Sequence, residues 1–161
     1  MFELRDPANL VCHRAVWYWT VRALLCWLVV GAVVALVVVQ TDGNRRPGYL
    51  VLAAVVLLAV LHATVMPRWR YRVHRWEATP TAVYTRAGWF NQERRIAPLS
   101  RIQTVDTERG PLEQLFRLAN VTVTTASAAG PLRIHGLAPA TADQLVAELT
   151  AATATDPGDA T

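Results

Sequence analysis

The sequence predicts a membrane α-hairpin joined to an α+β soluble domain, a curled antiparallel β-sheet closed by one C-terminal helix. Three observations carry that prediction. Two long apolar runs, Ala23 to Val39 and Gly48 to Met66, follow one another across a short polar turn. From residue 68 the pattern changes to short alternating segments punctuated by Gly and Pro, the period of strands. Last, Ala142, Leu145, Val146 and Leu149 form one apolar stripe at helical spacing.

A chain of 161 residues that is 53% hydrophobic and 17% charged is too apolar for an ordinary soluble domain. Each apolar run, with its flanks, is long enough to cross a hydrocarbon core of about 30 Å as a helix. The spans are placed at residues 18–40 and 48–66, inside a hairpin covering 16–66. The first run does not fit a cleaved secretory signal: it starts late, is long, and ends at Gln40-Thr41-Asp42 without a small-residue cleavage pattern. Cys12 lacks a lipoprotein context, and Cys12 and Cys26 show neither CxxC nor metal spacing, so both are read as packing residues.

Residues 1–15 are read as a cytoplasmic N-terminal segment. Trp17 and Trp19 precede the first span at the level where amphipathic rings favour the headgroups, and Arg22 can snorkel its charge back to water. Thr41 to Pro47 is too short for anything but an antiparallel turn. Seven arginines flank the hairpin on the side of the chain ends and two lie in the turn, which predicts both termini in the cytoplasm of a bacterial inner membrane. All sixteen basic residues are arginine. The excess is local: residues 67–76 hold four arginines and no acid, whereas 77–161 hold seven arginines against nine acids. A nucleic-acid binder would spread its basic face over the folded domain, so nucleic acid is excluded.

The stretch MPRWRYRVHRW, residues 66–76, alternates aromatic and basic positions and is read as the first strand, begun where Pro67 ends the second span. Arg68, Arg70, Arg72 and Arg75 then face anionic lipid, and Trp69 the core or headgroup zone. Ala82 to Arg86, Trp89 to Ile96, Ile102 to Thr107, the β-branched Val121 to Thr124, and Leu132 to His135 continue as strands, the last two joined through Ala128-Ala129-Gly130. Leu112 to Leu118 reads as a helical turn packed on the sheet. Thr141-Ala142-Asp143-Gln144 fits a capping box opening the final helix, and residues 153–161 are predicted to be disordered. Strands followed by a covering helix over residues 67–152 outline a pleckstrin-homology (PH)-like barrel.

The blocks RIQTVDTERGPLEQLF and ANVTVTTASAAG, preceded by TAVYTRAGWFNQERR and two spans, resemble the bacterial PH-domain membrane proteins over residues 8–150. The resemblance implies a PH-like domain and no enzymatic activity, in a family whose members are often encoded next to a larger membrane protein bearing several such domains. The family commonly has a glycine after the Leu-Phe pair, where this chain has Arg117, which puts a left-handed turn in question.

No phosphate-cradling glycine loop, HExxH or GxSxG occurs, and His13, His62, His74 and His135 have no local partner at ligand spacing. No enzyme, cofactor or metal is expected. His62, near the end of the second span, is read as a neutral interfacial residue. The first hairpin loop, Ala78 to Ala82, lacks the positive charge that grips inositol phosphates, so no specific inositol phosphate is expected. The expected function is protein–protein interaction at the cytoplasmic membrane face, with a partner membrane protein or a second copy. The alternative is an anionic-lipid-surface sensor or envelope-stress component using the juxtamembrane arginines.

Overall fold

The computed structural model describes residues 6–126 and 130–154. Helices α1 (Arg14–Gln40) and α2 (Arg46–Val73) form the antiparallel hairpin. At 1.5 Å per residue, each is about 40 Å long and exceeds the hydrocarbon thickness. Their apolar side chains point outward: Leu28, Leu50 and Leu57 are each about two-thirds or more exposed. Such a surface suits lipid and not water. At the turn the helices approach closely, because a Cβ on Gly48 would lie 2.5 Å from Val38 Cγ2.

The domain consists of two antiparallel sheets. The first, ordered β1-β2-β3-β4, is built from Asn9–Leu10, Arg75–Ala78, Ala82–Gly88 and Gln92–Pro98. A 3-10 turn at Leu99–Arg101 leads to the second, ordered β5-β6-β7, from Ile102–Glu108, Ala119–Thr125 and Leu132–Leu137. The short helix α3 (Pro111–Leu115) joins β5 to β6, and α4 (Pro139–Ala154) covers the open end. Alternation places Val83, Ala97, Val121, Val123, Leu132 and Ile134 inside, where Ala142, Leu145 and Leu149 of α4 close over them. Each large side chain so buried stabilises the fold by roughly 1.5–3 kcal/mol.

Several sequence expectations are corrected. MPRWRYRVHRW is not a strand along its length: α2 runs through Pro67 to Val73, and β2 begins only at Arg75. The buried positions Ala63, Met66, Pro67 and Val73, with half-buried Arg70, are a helical stripe, which outweighs the period-two reading. Pro67 removes one helical hydrogen bond yet α2 continues through it, and the Arg68 Nη1 donates to the Thr64 carbonyl at 2.6 Å. The N-terminal segment, expected apart from the 67–152 domain, adds a strand to it, since Asn9 and Leu10 pair with Trp76 and Arg75. The third predicted strand begins at Gln92, because Gly88 to Asn91 form the turn. Helix α4 starts at Pro139, so Thr141 lies within its first turn and not at its cap. Thr153 and Ala154 belong to α4, while the rest of the predicted disordered tail, 155–161, and the turn residues Ala128 and Ala129 lie outside the described residues.

Arg117 carries the left-handed turn that a glycine would favour. Its φ is +52°, and it alone among described non-glycine residues has a positive φ. The turn terminates α3, with the Leu118 N–H donating to the Glu113 carbonyl at 2.7 Å.

Candidate functional site

The chemistry-bearing side chains gather where the hairpin enters the domain. Just after β1, the Cys12 N–H donates to the Gly136 carbonyl at 2.8 Å, so the N-terminal segment bridges both sheets. Gly136 has φ +76° in a bulge of β7, and a Cβ there would lie 2.9 Å from Ala15 Cβ. The first turns of α1 thereby press on the sheet: Val11, Ala15, Tyr18, Trp19 and Leu118 form a second core. Tyr18 donates its hydroxyl to Glu113 Oε1 at 2.8 Å, and Asn120 Nδ2 approaches the same oxygen at 3.4 Å. Burial opposes the Glu113 charge, yet these hydrogen bonds hold its carboxyl below the usual range.

Arg70 and His74 fill the other side of this junction. The Arg70 guanidinium lies 4.6 Å from the Trp19 ring centroid, a cation–π contact. His74 is buried, with Nδ1 2.9 Å from the Arg70 carbonyl and Nε2 3.4 Å from Arg70 Nε. The first is met by a donating Nδ1–H and the second by an accepting Nε2, which fixes one neutral tautomer. Burial, and then the Arg70 charge, push the His74 pKa down to about 4. Burial and the Arg70 and Arg133 charges likewise lower that of His135.

The residues predicted to face the membrane surface therefore divide. Trp19 is only 2% exposed and Arg70 is stacked on it, so both serve the junction inside the protein; that expectation is corrected. Arg75 is half-buried in β2, where Nη1 reaches the Pro7 carbonyl at 3.5 Å. Trp17, Arg22, Arg68 and Arg72 are exposed. Arg68 and Arg72, with His13, Trp17 and Tyr71, line a groove of about 440 Å³ between α1 and α2. Trp69 is half exposed and donates from Nε1 to the Trp89 carbonyl at 2.9 Å.

Two features escaped the sequence reading. The turn between β3 and β4 carries Trp89 back against α2, where its ring centroid is 5.9 Å from that of His62, and leaves Phe90 exposed beside it. His62 Nδ1 accepts a hydrogen bond from Trp27 Nε1 at 2.9 Å, tying it to α1. Farther from the hairpin, a cleft of about 350 Å³ opens between β3, β4 and β7, lined by Thr85, Glu93, Arg95, Arg133 and His135. Arg95 bridges its walls by donating to the Pro131 carbonyl at 2.8 Å and to Glu93 Oε1. Among the described residues no three His, Cys, Asp or Glu side chains converge as a metal site requires.

Comparison with known proteins agrees with this architecture. Residues 23–153, from within α1 to the end of α4, match the family described as bacterial PH domain. The UPF0699 transmembrane protein YdbS of Bacillus subtilis (strain 168) is 30% identical over 125 residues, covering 76% of this chain and 79% of the relative. No solved structure matches. Outward-facing apolar helices and a transmembrane relative make this a membrane protein. With the match spanning both the hairpin and the curled sheets, the chain belongs to the bacterial PH domain family.

Proposed function

We propose that this protein is a non-enzymatic module of the bacterial inner membrane, with both termini cytoplasmic, that docks its PH-like domain to a partner membrane protein bearing similar domains or to a second copy. The observation that supports this reading is the edge strand β4. It ends the four-stranded sheet, most of its residues are exposed, and Ile96 within it is 47% exposed. An open edge accepts an added strand, with backbone hydrogen bonds supplying affinity. A photocrosslinker at Ile96, used in native membranes, should yield a product matching a second copy or a membrane protein with the same domain type. The same group at Glu148, on the exposed face of α4, should not. No product at Ile96, or equal products at both positions, rejects the reading.

A second reading is favoured by the groove holding Arg68 and Arg72: an anionic-lipid-surface sensor or envelope-stress component. Each arginine near an anionic surface contributes about 1 kcal/mol. In nanodiscs of mixed phosphatidylglycerol and phosphatidylcholine, the wild type should retain the anionic lipid preferentially. Retention unchanged by Arg68→Gln with Arg72→Gln would reject this second reading.

A further inference from the structure

We infer that the β3–β4 turn is a membrane-inserted foot, in which Trp89 and Phe90 enter the bilayer beside α2 and take the lipid surface as their partner. The inference rests on the two spans crossing a bilayer and is independent of docking at β4.

Depth is the first argument. Counted from Gly48, about 20 helical residues cross 30 Å of hydrocarbon and end near Pro67. His62 lies five residues earlier, so its ring is about 7.5 Å inside that boundary. The Trp89 ring tilts over it at 35° with centroids 5.9 Å apart. The Trp89 backbone is held by Trp69, so the turn runs along α2 between these two levels.

Polarity is the second. From Ala87 to Gln92 the sequence AGWFNQ contains no charge, so the tip can leave water. The nearest ions in the chain lie at its base and are paired: Arg86 bonds Asp6 and the Gln92 side chain, Arg94 bonds Asp6, and Arg95 bonds Glu93. The Trp89 carbonyl, which water would otherwise satisfy, accepts instead from Trp69 Nε1, as an apolar surrounding demands. His62 Nδ1 is satisfied in the same way by Trp27.

Exposure is the third. Phe90 is 91% exposed and Trp89 47%, beside the outward apolar faces of the spans. The turn is thus continuous with a surface already bathed in lipid, at the level that aromatic rings prefer. Gly88 makes the turn tight enough: its φ is +110°, and a Cβ would collide with the Asn91 carbonyl.

The test uses the full chain in phosphatidylethanolamine–phosphatidylglycerol liposomes, with Cys12→Ser and Cys26→Ala as background. An environment-sensitive fluorophore is attached at Phe90→Cys, at Asn91→Cys, and at Glu148→Cys on the exposed face of α4. At 90 and 91 the emission should be blue-shifted, quenched by nitroxide-labelled lipid and shielded from aqueous iodide; at 148 the pattern should reverse. Asn91→Cys keeps Phe90 in place, so loss of that ring cannot mask insertion. Aqueous behaviour at both tip positions, in a chain that resists alkaline extraction, overturns this inference alone. Release by alkali overturns the spans along with it.

Discussion

Replacing Gly136 by alanine tests whether α1 is built into the domain. Two terms add. At φ +76° a side chain strains the backbone by roughly 1–2 kcal/mol, offset by about 0.4–1 kcal/mol of lost unfolded-state freedom. The new Cβ, 2.9 Å from Ala15 Cβ in a fully buried setting, adds an overpacking cost of about 1–3 kcal/mol. Gly136→Ala should therefore cost about 1–4 kcal/mol, read as a shift of the denaturant midpoint in mild detergent. A double-mutant cycle separates the terms. Ala15→Gly alone costs about 1 kcal/mol of helix propensity, and the pair should recover the overpacking part but not the strain. Hydrogen exchange at the Cys12 amide should accelerate in Gly136→Ala, because its acceptor moves. A loss below about 0.5 kcal/mol would refute the close approach; a large loss with zero coupling to Ala15 would refute the contact and leave only the backbone argument.

Other predictions follow from the same geometry. Arg117→Gly should raise stability by about 0.5–1 kcal/mol in thermal unfolding, since it removes a left-handed arginine at an exposed turn. His74, with a folded pKa of about 4 against about 6.5 unfolded, contributes fully above pH 6.5 and loses that contribution as pH falls toward 4. Stability should fall by about 2 kcal/mol between pH 7 and 5 through this group, and His74→Gln should remove that part of the slope. Tyr18→Phe should cost about 1–2 kcal/mol by deleting the donor to Glu113, with parallel loss of protection in α3. Gly88→Ala should cost at least about 2 kcal/mol and, in liposomes, expose the turn to proteolysis.

Much of this architecture was legible from periodicity. The two spans, strands β3, β5, β6 and β7, and the stripe of α4 each carry enough residues for their period to be read. Local pattern fails where tertiary contact decides the conformation. Arg68, Arg70 and Arg72 alternate with Trp69, Tyr71 and Val73 as a strand would, but the stripe Ala63, Met66, Pro67, Arg70 and Val73 packs as a helix. That stripe is present in the sequence and opposes Pro67 as a stop signal. Strand β1 was not readable, because two residues have no period and their partners lie more than sixty positions away. Trp19 looked like a headgroup anchor beside Trp17, yet one faces the sheet and the other faces out, which only the placement of α1 on Gly136 determines. Trp89 and Phe90 read as strand residues because nothing local distinguishes a turn resting on a distant helix.

The short strand Asn9–Leu10 also orders events during synthesis. Its hydrogen-bonding mates, Arg75 and Trp76, emerge from the ribosome only after both spans have been made. The leading residues therefore stay unpaired until the chain has crossed and returned. Had only one span crossed, the two strands would lie on opposite sides of the bilayer, so the sheet is completed only when both spans have inserted.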